Sequence, residues 1–344
     1  MKNLVLFPNF YEGSSFDELF TSCKKSAVEI PNEISVKTSG KNSNQTYEKQ
    51  SNMLDAENDI ISLYKNIRLI LEQKDLEKLL LGDFFMPGLD IVQYHKEISK
   101  KNIKIGALLH GGSFLEGDLY QWDWLKTAEQ VWTKIYDIIY VPSQFLFDQL
   151  PDAMKEKAEV LPWGLAHIKF PNSLPFKRKI YDVIFPHRLD SDKGIEDLLE
   201  ITTNLPHVNF VITSPTNLNQ DDNHVHQLQK KDNVQLVTVH SNKEHLQTLS
   251  QSKLLLSTAK QENFGFSVAK GVLCGCVPVL PNTLVYPELY PADFLYNSCD
   301  EAQSFINKTL TDETYRSKLQ QGLIATKMQL HQYSMKNILT HFFE

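Results

Sequence analysis

Two doubly wound parallel α/β units are the fold class this sequence predicts, and three observations carry the expectation. Short apolar runs alternate with helix-forming segments almost throughout, which is the rhythm of parallel βαβ architecture. The rhythm pauses at 170–179, FPNSLPFKRK, where two prolines, a serine and a basic run read as a linker. A chain of 344 residues is also too long for one ordinary core and suits two. Domains are therefore expected over 1–170 and 180–325, with a helix over 326–344 crossing back to the first. Two such units leave a cleft between them, a common place for a ligand.

The elements follow in order. The opening MKNLVLFPNFYEG has a short apolar run without a small-residue cleavage site, so 4–7 reads as a strand rather than part of a signal peptide. Further strands are expected at 69–71, 79–85, 103–109 and 138–141. The stretch 42–62 is polar, poor in aromatics and rich in Asn, Gln and Ser, which fits a loop or solvated helix outside the core. A helix is expected to begin near Leu119 and run through Lys134. Its Trp122, Trp124 and Trp132 fit packing between helix and sheet, with stacking on an acceptor as the alternative. Beyond the linker, strands are expected at 182–185, 209–213, 234–238, 253–257 and 277–280, and helices at 195–203, 244–250 and 268–274. An amphipathic helical stretch, 315–343, closes the pattern.

Composition narrows the function. Hydrophobic residues make up 42% and charged residues 22%, the values of a soluble globular chain. No apolar run reaches the roughly 18 residues of a membrane span. A net charge of −7 argues against broad electrostatic binding to nucleic acid, although Lys-rich patches at 100–104 and 177–179 leave a local path open. Four cysteines without zinc-type spacing fit reduced thiols in a cytoplasmic protein. Cys274 and Cys276 read as small residues packing a helix end, with redox activity as the alternative.

Three constellations carry chemistry. In FPHRLDSDKG (185–194), at a strand's carboxyl end, Arg188 and Lys193 flank a tight turn and can converge on one anion, Arg as a planar fork and Lys as a mobile charge. The plainer reading is that Arg188 pairs with Asp190 or Asp192 while Lys193 caps the turn. The second is QENFGF (261–266), between a strand and a helix rich in small residues. Glu262 can accept from sugar hydroxyls, and Gly265 admits close backbone approach. The N–H groups from Phe264 to Ser267 would point at a pyrophosphate where the helix begins, with Asn263 and Phe266 among the donor-binding candidates. An ordinary strand-to-helix loop is the alternative. The third lies in the first half: Gly13 and Ser14 in FYEGSS, suited to phosphate or to a plain turn, and His110 in HGGS, where two glycines leave room for substrate. His167 and His187 read as supporting or surface residues. Asp190-Ser-Asp192 spells a metal-binding pattern, but it sits between two cations and reads as turn chemistry, so no metal is expected.

These residues resemble the nucleotide-sugar glycosyltransferases of the GT-B fold, specifically the retaining family 4. Arg188, Lys193 and the Glu262-Asn-Phe-Gly265 run match that family's elements in order. Within it, the motifs PHR…DK, STAK, CGC and LVYPE over 181–296 are similar to a branch that mannosylates a modified tRNA base. The resemblance implies two Rossmann-like domains, a nucleotide-diphosphate sugar (GDP-mannose-like or a UDP-sugar) as co-substrate and no other cofactor. It further implies that Arg188 and Lys193 neutralise the leaving diphosphate, Glu262 positions the sugar, and His110 binds hydroxyls or orients the acceptor. Front-face transfer with retention follows, since no nucleophile stands out in the first half. Two departures matter: His110-Gly-Gly-Ser stands where that branch has a histidine followed by a more polar sequence, and the second glutamate of the family's Glu-x7-Glu motif, which binds the ribose, falls on Lys270. That implies either a donor held differently, with Lys270 meeting a phosphate or a carboxylated sugar, or a weakened donor site. The acceptor is open, a modified base in tRNA or DNA being one possibility, and a non-catalytic nucleotide-sugar-binding protein is the rival from another class.

Overall fold

The computed structural model describes residues 2–8, 10–11, 15–38, 41–42, 56–86, 88–117, 122–214, 223–239 and 241–344. The chain divides into two compact units, one made of 1–168 with 333–344 and the other of 169–332.

The first unit is built on a six-stranded sheet. Its strands are β1 (Asn3–Phe7), β3 (Ile34–Thr38), β5 (Lys78–Leu81), β6 (Lys104–Leu108), β7 (Ile138–Val141) and β8 (Ala158–Val160), in the order β3-β1-β5-β6-β7-β8. Every neighbouring pair is parallel. Two short strands, β2 (Phe10–Tyr11) and β4 (Lys41–Asn42), pair separately. Parallel strands are covered on both faces and so carry continuous apolar runs rather than alternation. Leu4, Val5, Leu6 and Phe7 of β1 are accordingly all fully buried. The order reverses direction between β1 and β5, which makes that point the sheet's topological switch.

The second unit repeats the plan with β9 (Tyr181–Phe185), β10 (Phe210–Ser214), β11 (Val234–Thr238), β12 (Ser252–Leu256), β13 (Val277–Pro281) and β14 (Leu295–Tyr296). The order β11-β10-β9-β12-β13-β14 is all parallel, and counted from β9 it is the 3-2-1-4-5-6 order of dinucleotide-binding sheets. The switch lies between β9 and β12. These are the strands that lead into FPHRLDSDKG and QENFGF.

Four local expectations change. Residues 69–71 are not a strand but the end of the helix Ala56–Leu71. Asn66 and Ile70 are buried while Leu71 is half exposed, a helical rather than alternating spacing. The strand expected over 79–85 ends at Leu81, because Asp83 turns the chain by accepting from the Phe85 N–H at 3.1 Å. Of the three tryptophans at the helix Asp123–Ile135, Trp132 packs inward, against Phe84 and Phe85. Trp122 and Trp124 stack on each other at the surface, with ring centroids 5.9 Å apart. Finally, 315–343 is two helices, Glu313–Gln332 in the second unit and Met335–Phe343 in the first. Ser334 starts the latter by accepting from the Lys336 N–H. There Phe342 lies against Gly106, where a Cβ would come within 2.6 Å of the ring, and Lys78 Nζ donates to the Phe342 and Phe343 carbonyls.

Cys274 and Cys276 are packed as expected. Both are buried, with Cys276 Sγ donating to the Leu249 carbonyl at 3.0 Å. Burial pushes their thiols up to about 12 and about 11, so both stay protonated.

Candidate active site

At the carboxyl edge of the second sheet, two loops are laced together by their backbones. After β9 the chain passes Arg188, turns through Ser191–Lys193 and reaches Gly194 in the left-handed region (φ 69°), where the helix Ile195–Asn204 begins. A Cβ on Gly194 would stand 2.0 Å from the Thr258 carbonyl, so only glycine lets this loop meet the one after β12. Thr258 Oγ1 donates to the carbonyls of Lys193 (2.8 Å) and Gly194 (2.9 Å). In return the N–H groups of Lys260 and Gln261 donate to the Asp192 carbonyl.

That lacing fixes the charged side chains. Lys193 Nζ donates to the Gln261 carbonyl at 2.7 Å and lies 3.2 Å from Asp192 and 3.4 Å from Glu262. Burial works against its charge, but Glu262 and Asp192 outweigh it and hold the ammonium above the usual lysine range. Arg188 forms ion pairs with Asp190 at 2.5 Å and Asp192 at 3.4 Å. The arginine thus pairs within its own turn, as the plainer reading has it, and shares Asp192 with Lys193. Asp190 is 46% exposed, so solvent screens that pair and an incoming dianion can displace it.

Glu262 closes the ring from the other loop. One oxygen meets Lys193 and the other accepts from the Gly265 N–H at 3.0 Å, just ahead of the helix Phe266–Leu273. Gly265 has φ 80°, while a Cβ there would make only ordinary contacts, from 3.5 Å outward. Its conformation requires glycine, not a shortage of space. Asn263 accepts from Gln261 Nε2. Phe264 is buried with its ring 4.8 Å from that of Phe266, so only its backbone is available to a ligand. Lys270 stands a turn further along the helix, nearly buried, with Nζ 3.5 Å from Asn242 Oδ1.

The remaining expected residues belong to the first unit. His110 follows β6 and its Nε2 pairs with the Gly82 carbonyl at 3.1 Å, between the rings of Phe16 and Trp163. Burial pushes it down to about 4, so it is a neutral imidazole near pH 7. The loop after it is pinned by Glu129, which accepts from both the N–H and the hydroxyl of Ser113. Gly13 and Ser14 lie outside the described residues.

Sequence reasoning passed over two groups and left a third between two readings. His187 reads as a supporting or surface residue, yet it is 5% exposed with its Nε2 buried and without a hydrogen-bond partner. Thr258 is the residue that ties the two loops, and nothing in STAK announces it. Asp83, at the carboxyl end of β5, is pushed up to about 7 by burial, which outweighs the N–H groups of Phe85 and Phe84. It stands two residues beyond the end of β5, a position the sequence hides because the apolar run reads as a strand through 85.

Two cations and three carboxylates form a ring beside a helix N-terminus at the sheet's switch point, the place where sheets of this kind bind ligands. Known proteins share this half of the chain. The family described as glycosyl transferases group 1 matches residues 168–322. Residues 168–322 are thus similar to a group 1 glycosyl transferase domain. A tRNA-queuosine alpha-mannosyltransferase of Drosophila melanogaster is 29% identical over 171 residues, 45% of either chain, so the match spans less than half of that relative. Among solved structures, sucrose-phosphate synthase from Thermosynechococcus elongatus matches with a TM-score of 0.72 at 12% identity, covering 99% of this chain and 97% of that one. WaaG, a glycosyltransferase involved in lipopolysaccharide biosynthesis, matches with 0.69 at 13%, covering 97% and 98%. At such identities the likeness shows the fold, which is GT-B with its two Rossmann-like units. Among the described residues no helix is long and apolar enough to cross a membrane.

Proposed function

We propose that this chain is a retaining glycosyltransferase that moves a hexose from a nucleotide-diphosphate sugar to its acceptor. The observation that carries the reading is the convergence of Arg188, Lys193 and Glu262 on the switch point between β9 and β12. Arg188 and Lys193 bind the diphosphate and stabilise the charge that builds up as it leaves. Glu262 accepts hydrogen bonds from the sugar, and the backbone of Asn263, Phe264, Gly265 and Phe266 meets the phosphates, with Lys270 completing the donor side. His110, neutral and aromatic-walled, orients hydroxyls in the first unit, where Gly13 and Ser14 are proposed to approach phosphate. In the transfer the bond from sugar C1 to the phosphate oxygen breaks, and the acceptor oxygen bonds C1 on the same face. The acceptor proton passes to the departing phosphate. The two cations supply the charge that a metal would bring, and Asp190 and Asp192 are engaged by them, so the reaction is read as metal-independent.

For the acceptor, likeness to a tRNA-modifying mannosyltransferase supports a modified base in tRNA, and with it a cytoplasmic setting. Transfer of labelled hexose from GDP-, UDP- and ADP-sugars, with tRNA or water as acceptor, tests the reading. Arg188→Ala is expected to lower transfer by about a hundredfold or more while circular dichroism is unchanged. Full activity in that variant sinks the assignment. Donor binding with no turnover of any sugar favours a non-catalytic binding protein.

A further inference from the structure

The first sheet has a switch point of its own, between β1 and β5, and Asp83 stands at its carboxyl edge. Four hydrogen bonds hold the turn that presents it. The Gly82 N–H donates to the Leu6 carbonyl of β1 at 2.8 Å, and the Phe84 N–H to the Leu108 carbonyl of β6 at 2.7 Å, so the turn is tied to both neighbouring strands. His110 Nε2 pairs with the Gly82 carbonyl at 3.1 Å, and Tyr136 Oη donates to the Phe84 carbonyl at 2.6 Å. The carbonyl that His110 grips belongs to the peptide unit leading into Asp83. Imidazole and carboxyl are therefore positioned together by one braced element.

The turn itself needs no carboxylate. Asp83 Oδ1 accepts from the Phe85 N–H at 3.1 Å, a bond that the amide oxygen of an asparagine makes equally well. The acid is instead a cost: burial pushes it up to about 7, against the help of the Phe85 and Phe84 N–H groups. Tyr136 shares its surroundings as a phenol that burial keeps protonated. Asp83 nevertheless stays partly exposed, between the buried Gly82 and Phe84. An acid retained at a switch point, in a fixed turn and at a cost to stability, has the marks of a ligand-binding residue. Near neutral pH it exchanges a hydrogen bond with a hydroxyl in either protonation state, whereas a phosphate there meets a like charge.

We propose that Asp83 is an acceptor-binding residue: it takes a hydrogen bond from an uncharged, hydroxyl-bearing acceptor group beside His110 and disfavours one that carries a phosphate. The inference rests on the glycosyltransferase reading above and narrows its acceptor class. The donor diphosphate has its cations in Arg188 and Lys193 of the second unit, which leaves this edge of the first sheet to the other substrate. In a tRNA acceptor the group is a hydroxyl on the modified base rather than the backbone.

Two measurements on the full chain test this. Titration calorimetry gives the dissociation constants of UDP, GDP and ADP. Transfer of labelled sugar from the matching nucleotide hexose gives kcat/KM for paired acceptors, methyl glucoside against glucose 6-phosphate and glycerol against glycerol 3-phosphate, with unfractionated tRNA alongside. An uncharged member, or tRNA, is expected to exceed the phosphorylated probes by about tenfold or more. In Asp83→Asn its kcat/KM is expected to fall by about tenfold, chiefly through KM, while the nucleotide dissociation constant stays within about twofold. Asp83→Ser, which also closes such a turn, is expected to behave alike, and wild-type or higher melting temperatures separate lost transfer from lost fold. Preference for a phosphorylated probe, wild-type transfer by Asp83→Asn, or an equal loss of nucleotide binding overturns the role of Asp83. Donor hydrolysis without transfer to any of these acceptors overturns the acceptor class alone. Absence of nucleotide binding, or of any turnover, overturns the donor reading and the role of Asp83 with it.

Discussion

The carboxyl edges of the two sheets handle polar groups in opposite ways. On the second sheet the charges are kept: Arg188, Lys193, Asp192 and Glu262 neutralise one another in pairs, and two loops laced through Thr258 hold them in place. On the first sheet charge is suppressed. Burial favours the neutral form of His110 and raises the Asp83 carboxyl to about 7, and His110 is walled by Phe16 and Trp163. One edge suits a ligand that brings its own negative charge. The other suits groups that exchange hydrogen bonds with hydroxyls. The difference shows that sheets of the same architecture, each with a switch point, take up distinct chemistry through the loops alone.

The comparison breaks most sharply at Gly194. Gly194→Ala forces a Cβ against the Thr258 carbonyl at a left-handed backbone position and is expected to cost about 3 kcal/mol or more. Gly265→Ala, strained in φ but not crowded, is expected to cost only about 1–2 kcal/mol. Urea unfolding of both variants checks the contrast, and equal losses would mean that the lacing is not what holds the loops. Next in size is Lys193→Met. It leaves Glu262 and Asp192 without their shared cation and is expected to lower stability by about 2 kcal/mol, a value reduced by partial exposure. A fall in donor affinity by isothermal titration should accompany it, and unchanged affinity would remove Lys193 from the donor site.

The smallest effect sharpens the first edge. The raised Asp83 pKa means that the folded state holds that proton more tightly than the unfolded chain. Its contribution is therefore complete below about 4 and is lost as pH rises through about 7. His110 works the other way: its stability is present above about 6.5 and is lost as pH falls through about 4. Asp83→Asn should thus match wild type near pH 4 and become progressively more stable than it as pH rises through about 7. Melting temperatures across that range decide the point, and a pH-independent difference would refute the suppressed carboxylate.

Much of this was legible in the residues. β1 and the strands from β9 to β13 announce themselves because strands covered on both faces must be apolar throughout. Gly265 and Glu262 are visible because a strand-to-helix turn needs a left-handed residue and a cap. The end of the helix Ala56–Leu71 was misread as a strand, since three apolar residues do not distinguish the two periods. The stop between Gln332 and Ser334 was passed over because amphipathic spacing continues across it. The surface position of Trp122 and Trp124 was hidden for a different reason: aromatic content shows that something can pack, not what stands opposite.

By itself, then, the sequence determined the alternation of strands and helices, the two-unit plan and the residue types of the loops after β9 and β12. Those properties are local, set by backbone preference and by which side chains avoid water. Only the tertiary structure decided that β9 and β12 are neighbours at the point where strand order reverses. That pairing brings Lys193 to Glu262 across 69 positions of chain and makes Thr258 the tie between their loops. It also decided that His187 is buried with an unsatisfied nitrogen and that Lys270 turns toward Asn242. Charge, burial and hydrogen bonding at these residues depend on distances between strands far apart in sequence, and those distances exist only once the sheet has formed.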